Sequence, residues 1–129
     1  MPFYRWNDLA DETITPKYST THGVTVNGQK LSVGLYRIPA GTGAKPHAHP
    51  NEQVIAVMKG RMKFRLGGEE RILGPGEVVL VPANIQHQTE ALEDVEFFNC
   101  KEVSKTLLAF QTQRQETKDT FSTIWQVIL

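Results

Sequence analysis

Short apolar segments separated by turn signals run through the middle of the chain. Glycine, proline and asparagine recur every few residues across 28–84, and the segments between them are rich in β-branched or alternating apolar residues. Within 61–66 the alternation is complete, because Met62, Phe64 and Leu66 share one side of an extended chain while three basic residues share the other. The pattern predicts β-strands with one face in a core and one face in water.

The predicted strands include 53–59, 62–66 and 78–81. Many short strands with glycine and proline corners are typical of a closed barrel or jelly roll, which leaves few exposed sheet edges. We therefore predict an all-β, single-domain barrel over residues 30–103, in which Gly67-Gly68 forms a hairpin turn.

Two flanking segments are less regular. Residues 1–29 are predicted to lead into the barrel, with a short helix or loop within 7–22. The turn rhythm stops in residues 104–129, and the apolar end of that tail is expected to dock on the barrel or on a second subunit.

Histidines provide the candidate chemistry. In a strand, side chains two apart point to one face, so His47 and His49 can converge on one ion, and Gln53 has the same parity. His87 comes from a separate segment. A His-x-His pair alone is frequently no more than a polar strand face, but three imidazoles and one amide oxygen suit iron, manganese, nickel, copper, cobalt or zinc and leave positions open for substrate. His22 lies outside this pattern and is interpreted as a surface residue.

The chain resembles the cupin superfamily over about residues 30–103. The motif Gly-x5-His-x-His-x3-Glu-x6-Gly is matched with glutamine in place of glutamate, and Gly-x5-Pro-x-Gly-x2-His-x3-Asn is matched with asparagine for the inner glycine and alanine for the final asparagine. The matching positions are Gly41, His47, His49, Gln53 and Gly60, followed by Gly76, Pro82, Asn84, His87 and Ala91. The resemblance implies a cupin barrel with one divalent transition metal held by His47, His49, Gln53 and His87.

The segment His-Ala-His-Pro-Asn-Glu-Gln also resembles the small cupins of pectin degradation, which open unsaturated monouronates. In that subgroup an Asp-x-Phe-x3-Arg pattern follows the second motif, and here the corresponding positions are Asn99, Lys101 and Lys105. Asn99 cannot act as a carboxylate base, but Lys101 and Lys105 are candidates for binding a substrate carboxylate.

Three functions follow from this resemblance. The first is metal-assisted isomerisation, cyclisation or ring opening of a small sugar-acid-like or polyketide-like substrate. The second is an iron-dependent dioxygenase. The third is a non-catalytic module that binds or senses a small molecule.

The composition of the chain limits the classes of partner that it is expected to bind. Fourteen basic residues balance fourteen acidic ones, which disfavours nucleic-acid binding. The chain shows neither a signal peptide nor an apolar span for a membrane, so we expect a cytoplasmic protein.

The single cysteine, Cys100, is predicted to be a small core residue, and Phe97 and Phe98 to be core or interface residues. Trp6 and Trp125 near the two termini, together with the resemblance, predict a homodimer.

Overall fold

Ten β-strands and one 3-10 turn (Trp6–Asp8) form the regular structure of residues 2–103, the part of the chain that this computed structural model describes. The strands are β1 (Glu12–Thr13), β2 (His22–Asn27), β3 (Leu31–Ile38), β4 (Gly43–His47), β5 (Gln53–Lys59), β6 (Met62–Leu66), β7 (Glu69–Leu73), β8 (Val78–Val81), β9 (His87–Ala91) and β10 (Val95–Glu102). The predicted strands 53–59, 62–66 and 78–81 are confirmed as β5, β6 and β8.

The strands form two antiparallel sheets. One sheet has six strands in the order β1-β2-β3-β10-β5-β8, and the other has four in the order β4-β9-β6-β7. Neighbours in space are frequently distant in sequence, as for β3 and β10, which is the connectivity of a jelly roll rather than of a simple meander. The prediction of an all-β barrel is confirmed.

Alternation along each strand places the core between the two sheets. In β6, Met62 and Phe64 are buried and Arg65 is exposed, as their spacing predicts. The same rule buries Val95 and Phe97 in β10 while Phe98 points outward against Trp6. The core residues are Tyr36, Ile38, Ile55, Val57, Met62, Phe64, Leu73, Val81, Ala91, Val95 and Phe97.

The inner face of the six-stranded sheet changes from apolar to polar toward one end. Val57 faces Phe97 across the β5–β10 ladder, and two positions further along each strand Ile55 faces Asn99. The next inward pair is Gln53 and Lys101. Polar side chains therefore enter the barrel at this end, and the candidate site lies there.

Two turns have backbone angles that restrict their residue type. Gly67 has a φ of 58° in the hairpin between β6 and β7, so the predicted Gly67-Gly68 turn is confirmed. Asn84 has a φ of 66°, in the left-handed region that asparagine tolerates better than most residues. Asparagine can thus replace the glycine of the second motif without breaking the turn that precedes β9.

The N-terminal segment contains more strand than expected. Residues 7–22 were predicted to hold a short helix or loop, and they contain part of the 3-10 turn, the short strand β1 and an isolated bridge between Ser19 and Ala44. Strand β2 pairs along its whole length with β3. The segment thus contacts both sheets, while the boundaries at residues 29 and 103 stay predictions.

One expectation for a single residue was wrong, and another agrees with the structure. Cys100 is exposed, because β10 turns Asn99 and Lys101 inward and the alternation forces Cys100 to the outer face. His22 lies in β2, and its side chain is one-third exposed beside Asp11, which agrees with the predicted surface position. Within residues 2–103, no helix is long and apolar enough to cross a membrane.

Candidate metal centre

Three histidines meet at the polar end of the barrel. His47 ends β4, His87 begins β9, and the two are direct cross-strand partners. His49 lies in the loop after β4, and one ring nitrogen from each of the three residues lies within 4.8 Å of the others. The ring centroids of His47 and His87 are 4.3 Å apart, and those of His49 and His87 are 4.8 Å apart.

The convergence of His47 and His49 has a different cause from the one the sequence suggested. The argument from strand parity requires both residues to be in one strand, but β4 ends at His47. The β4–β9 register shifts between Ala44 and His47, where Pro46 lacks the N–H that a regular ladder needs. The chain then turns, and the loop rather than the strand brings His49 toward the cluster.

Each imidazole donates its Nδ1 proton to the backbone carbonyl of a residue two positions away. His47 Nδ1 lies 2.6 Å from the Lys45 oxygen, His49 Nδ1 lies 2.9 Å from the Asn51 oxygen, and His87 Nδ1 lies 2.9 Å from the Ile85 oxygen. A carbonyl only accepts hydrogen bonds, so the proton of each neutral ring is on Nδ1. The three Nε2 atoms are then left with free lone pairs.

Gln53 brings an oxygen to the same point. Its Oε1 lies 3.1 Å from His49 Nε2, and its Nε2 donates a hydrogen bond to Asn99 Oδ1, which fixes the orientation of the amide. His49 Nε2 carries no proton, so two acceptors face each other across 3.1 Å. Such a pair is unfavourable unless a cation lies beside both atoms.

The site keeps its histidines neutral. Burial is the largest cause that lowers the pKa of His49 to about 3 and the pKa of His87 to about 4, and it also lowers the pKa of His47. The positive charge of Lys101 contributes to the lowering of all three pKa values. At neutral pH the rings therefore offer lone pairs to a metal ion without first losing a proton.

This donor set fits a transition-metal ion. Three neutral imidazoles and a neutral amide oxygen are borderline ligands of the kind that iron, manganese, cobalt, nickel, copper and zinc accept. The carbonyls that accept the Nδ1 protons fix the ring tautomers, as the supports of metal-binding histidines generally do. His47, His49, His87 and Gln53 would hold the ion. Among the described residues, this cluster has the ligands for such an ion.

A cavity of about 70 Å³ adjoins the histidines. It is lined by His47, Gln53, His87, Asn99 and Lys101, among others. Lys101 is only 8% exposed, and burial lowers its pKa to about 8, so it is largely a cation at neutral pH. The sequence-based candidate Lys101 thus lies in the same cavity as the histidines, while Lys105 lies outside the described residues.

Sequence reasoning missed one wall of this cavity. Ile14, Thr15, Ser19 and Thr21 line it, and the ring of Tyr18 stacks on His47 with 5.6 Å between centroids. These contacts join positions that are far apart in sequence, so no local pattern of residue types indicates them. The sequence of this segment is rich in threonine, but that feature does not indicate a cavity wall.

Comparison with known proteins identifies the fold family. A family model described as a cupin domain matches residues 34–99. An uncharacterized protein, SCO3923 from Streptomyces coelicolor, is 37% identical over 60 residues, which is 46% of this chain and 57% of that protein. The chain therefore aligns with little more than half the length of this relative.

Solved structures extend the similarity in fold. An RmlC-like cupin from Shewanella frigidimarina superposes with a TM-score of 0.72 at 17% identity, covering 81% of this chain and 93% of that one. KdgF from Halomonas sp. gives a TM-score of 0.70 at 22% identity, covering 81% of this chain and 96% of that one. At these identities the similarity concerns the architecture alone.

Proposed function

This chain belongs to the cupin domain family, and from that premise we propose that it binds one divalent transition-metal ion through His47, His49, Gln53 and His87 and acts on a small oxygenated molecule. The observation that carries the proposal is the shared tautomer. Three Nδ1 protons are given to backbone carbonyls, which leaves the three Nε2 lone pairs free. One ring nitrogen from each histidine lies within 4.8 Å of the others, and Gln53 adds an oxygen beside His49 Nε2.

The proposed activity is isomerisation, cyclisation or ring opening of a sugar-acid-like or polyketide-like substrate. A bound ion would supply Lewis-acid polarisation of a substrate carbonyl or hydroxyl group. The cavity of this chain would hold the substrate beside the ion, and its apolar walls would exclude water. Asn99 fixes the orientation of the Gln53 side chain.

The buried Lys101 favours a substrate that carries an acidic group. Its ammonium group is buried in the cavity that the histidines adjoin. An anionic oxygen of a substrate would therefore meet a cation at short range in a poorly solvated site, where charge-assisted hydrogen bonds are strong. The cavity volume of about 70 Å³ is well below the roughly 300–1,000 Å³ typical of drug-sized ligands, which favours a small carboxylic acid. We extend the same role to Lys105 as a proposal from its sequence position.

One observation favours a second candidate, a non-catalytic binding or sensor protein. Asn99 occupies the position where the pectin-degradation cupins carry aspartate, and its side-chain oxygen is engaged by Gln53. An amide cannot remove a proton as a carboxylate does. The same site would then capture a small acid without converting it.

The test is elemental analysis of protein purified without chelator or affinity-tag metal, followed by reconstitution. We expect about one ion per chain in the wild type and in the control variant His22→Ala, and none in His49→Ala. Equal metal content in His49→Ala would overturn the ligand assignment. Bound iron with oxygen consumption would favour the dioxygenase alternative, and metal without turnover of unsaturated sugar acids would favour the binding protein.

We also propose a homodimer formed through the outer face of the six-stranded sheet. Two rows of apolar residues cross five strands on this face, and Val78 and Leu80 at its edge are 59% and 53% exposed. The rows are Val26, Val33, Cys100, Val54, Leu80 and Val24, Leu35, Phe98, Ala56, Val78. The exposed members of these rows are Val33, Val78, Leu80 and Cys100, and neighbouring exposed apolar residues of this kind are typical of an interface. Sedimentation should give a dimer for the wild type and a monomer for Leu80→Asp, and a wild-type monomer at all concentrations would contradict the proposal.

A further inference from the structure

The ring of Tyr18 is nearly parallel to the ring of His47 and stacks against it. The centroids are 5.6 Å apart and the planes differ by 16°. His47 is the half-buried member of the histidine cluster, whereas His49 and His87 are only 6% and 4% exposed. Surrounding core atoms restrain the two buried rings, and Tyr18 supplies to His47 a restraint that burial does not.

Backbone hydrogen bonds fix Tyr18 in this position. The Lys45 amide donates to the Tyr18 carbonyl at 2.8 Å, and the Thr20 amide donates to the Gly43 carbonyl at 3.2 Å. The Lys45 carbonyl in turn accepts the Nδ1 proton of His47 at 2.6 Å. Lys45 is thus bonded to both partners of the stack, so the edge and the face of the imidazole are held by connected groups.

His87 has the same two supports from different parts of the fold. Its Nδ1 donates to the Ile85 carbonyl, and its ring is stacked on Phe64 with 6.1 Å between centroids and an 11° angle. Phe64 belongs to the core, whereas Tyr18 belongs to the N-terminal segment. The recurrence of carbonyl and aromatic supports on two candidate ligands indicates that the Tyr18 contact is part of the site.

We propose that Tyr18 is a positioning residue of the metal centre, which holds His47 with its Nε2 toward the other ligands. This inference rests on the proposed metal site. An imidazole that binds a cation becomes more positive, and the negative face of an aromatic ring attracts it more strongly than it attracts the neutral ring. The stack therefore favours the metal-bound form.

The test is a Co²⁺ titration of the apoprotein, followed by the visible absorption of the bound ion, which reports the arrangement of its ligands. We expect Tyr18→Ala to weaken Co²⁺ binding about two- to tenfold, the range that an aromatic pair contributes, and to alter the spectrum. Tyr18→Phe keeps the ring and should stay within about twofold of the wild type. Tyr4→Ala is the control, because Tyr4 is an exposed aromatic residue of the same N-terminal segment.

Tyr18→Leu separates loss of the aromatic contact from a folding defect, because leucine keeps apolar volume but has no aromatic face. We expect it to bind Co²⁺ as weakly as Tyr18→Ala does. In the apoprotein, the ring protons of His47 should lose their upfield NMR shift in Tyr18→Leu and keep it in Tyr18→Phe. Wild-type affinity and spectrum in both Tyr18→Ala and Tyr18→Leu would overturn the role of Tyr18, as would a Tyr18→Phe variant as weak as Tyr18→Ala. A wild type that binds no Co²⁺ would overturn the metal site itself.

Discussion

Asn99 accepts a hydrogen bond from the Gln53 side-chain amide and thereby turns the Gln53 carbonyl oxygen toward His49. The two residues lie on neighbouring strands, β10 and β5, and both face the inside of the barrel. Asn99 is buried at 4% exposure, so its amide has little freedom to move. Asn99 therefore orients Gln53, one of the proposed metal ligands.

Replacing Asn99 tests that support. Asn99→Ala frees the Gln53 amide to rotate, and we expect metal affinity to fall by about 10- to 100-fold, as is typical when a residue that orients a ligand is removed. Asn99→Asp keeps an oxygen acceptor and should retain the wild-type affinity or exceed it. Isothermal titration with Co²⁺ measures both variants, and wild-type affinity in Asn99→Ala would contradict the orienting role.

Gln53→Glu restores the residue usual in the cupin motif. A carboxylate beside the three imidazoles adds a negative charge next to the ion, so divalent metals should bind more tightly. The gain requires the Asn99 amide to rotate and present its NH₂ group to the new carboxylate. Competition with a metal chelator measures the change, and unchanged affinity would indicate that the side chain at position 53 does not contact the ion.

Lys101→Met separates metal binding from substrate binding. Methionine keeps an unbranched apolar side chain but removes the buried charge, which should leave metal affinity intact or raise it because one repulsive cation is gone. Binding of a small dicarboxylate such as malonate to the metal-loaded protein should weaken about 10- to 100-fold, the worth of a hydrogen bond to a charged group. Lys59→Met, at an exposed position, is the control. Equal malonate affinity in the wild type and in Lys101→Met would exclude Lys101 as the anion site.

The apoprotein should lose stability as the pH falls from 7 to 5. The pKa values of His49 and His87 are about 3 and 4 in the folded chain, below the ordinary value of 6.5 that applies when the chain unfolds. In this window the unfolded chain binds more protons, so the free energy of unfolding is highest above pH 6.5 and decreases as the pH drops toward 4.

Urea midpoints at pH 5, 6 and 7 in the presence of a chelator measure this effect. His87→Gln is the matched variant, because it removes one of the two groups and should make the decline shallower. An identical decline in wild type and variant would show that the buried histidines are not its source.

Much of the barrel could be predicted because its determinants are local. Alternation in β6 and the turn residues around Gly67 and Asn84 act over a few positions, and each produced the expected structure. The polar interior could also be anticipated in part, since Gln53 shares the parity of Ile55 and Val57. The two motifs also predicted that His47 and His87 belong to one site, although the course of the chain between them was not predicted.

Other features depend on tertiary context. Cys100 looked like a core residue by type, but the inward direction of Lys101 fixes the phase of β10, and a buried lysine is difficult to anticipate from sequence. The contact between Tyr18 and His47 requires the N-terminal segment to fold back along β4. The position of His49 depends on a loop, whose path is set by Pro46 and the end of the ladder.

The cross-strand pairing of His47 with His87 has a consequence for folding kinetics. The two residues are 40 positions apart in sequence, and their rings come together only after β4 and β9 have paired. Such a long-range ladder forms late, because closing a large loop costs entropy before contacts compensate for it. An ion held by both histidines would thus stabilise the native state more than the transition state. It is expected to slow unfolding and leave the folding rate unchanged, so that metal content determines the lifetime of the folded barrel rather than its speed of assembly.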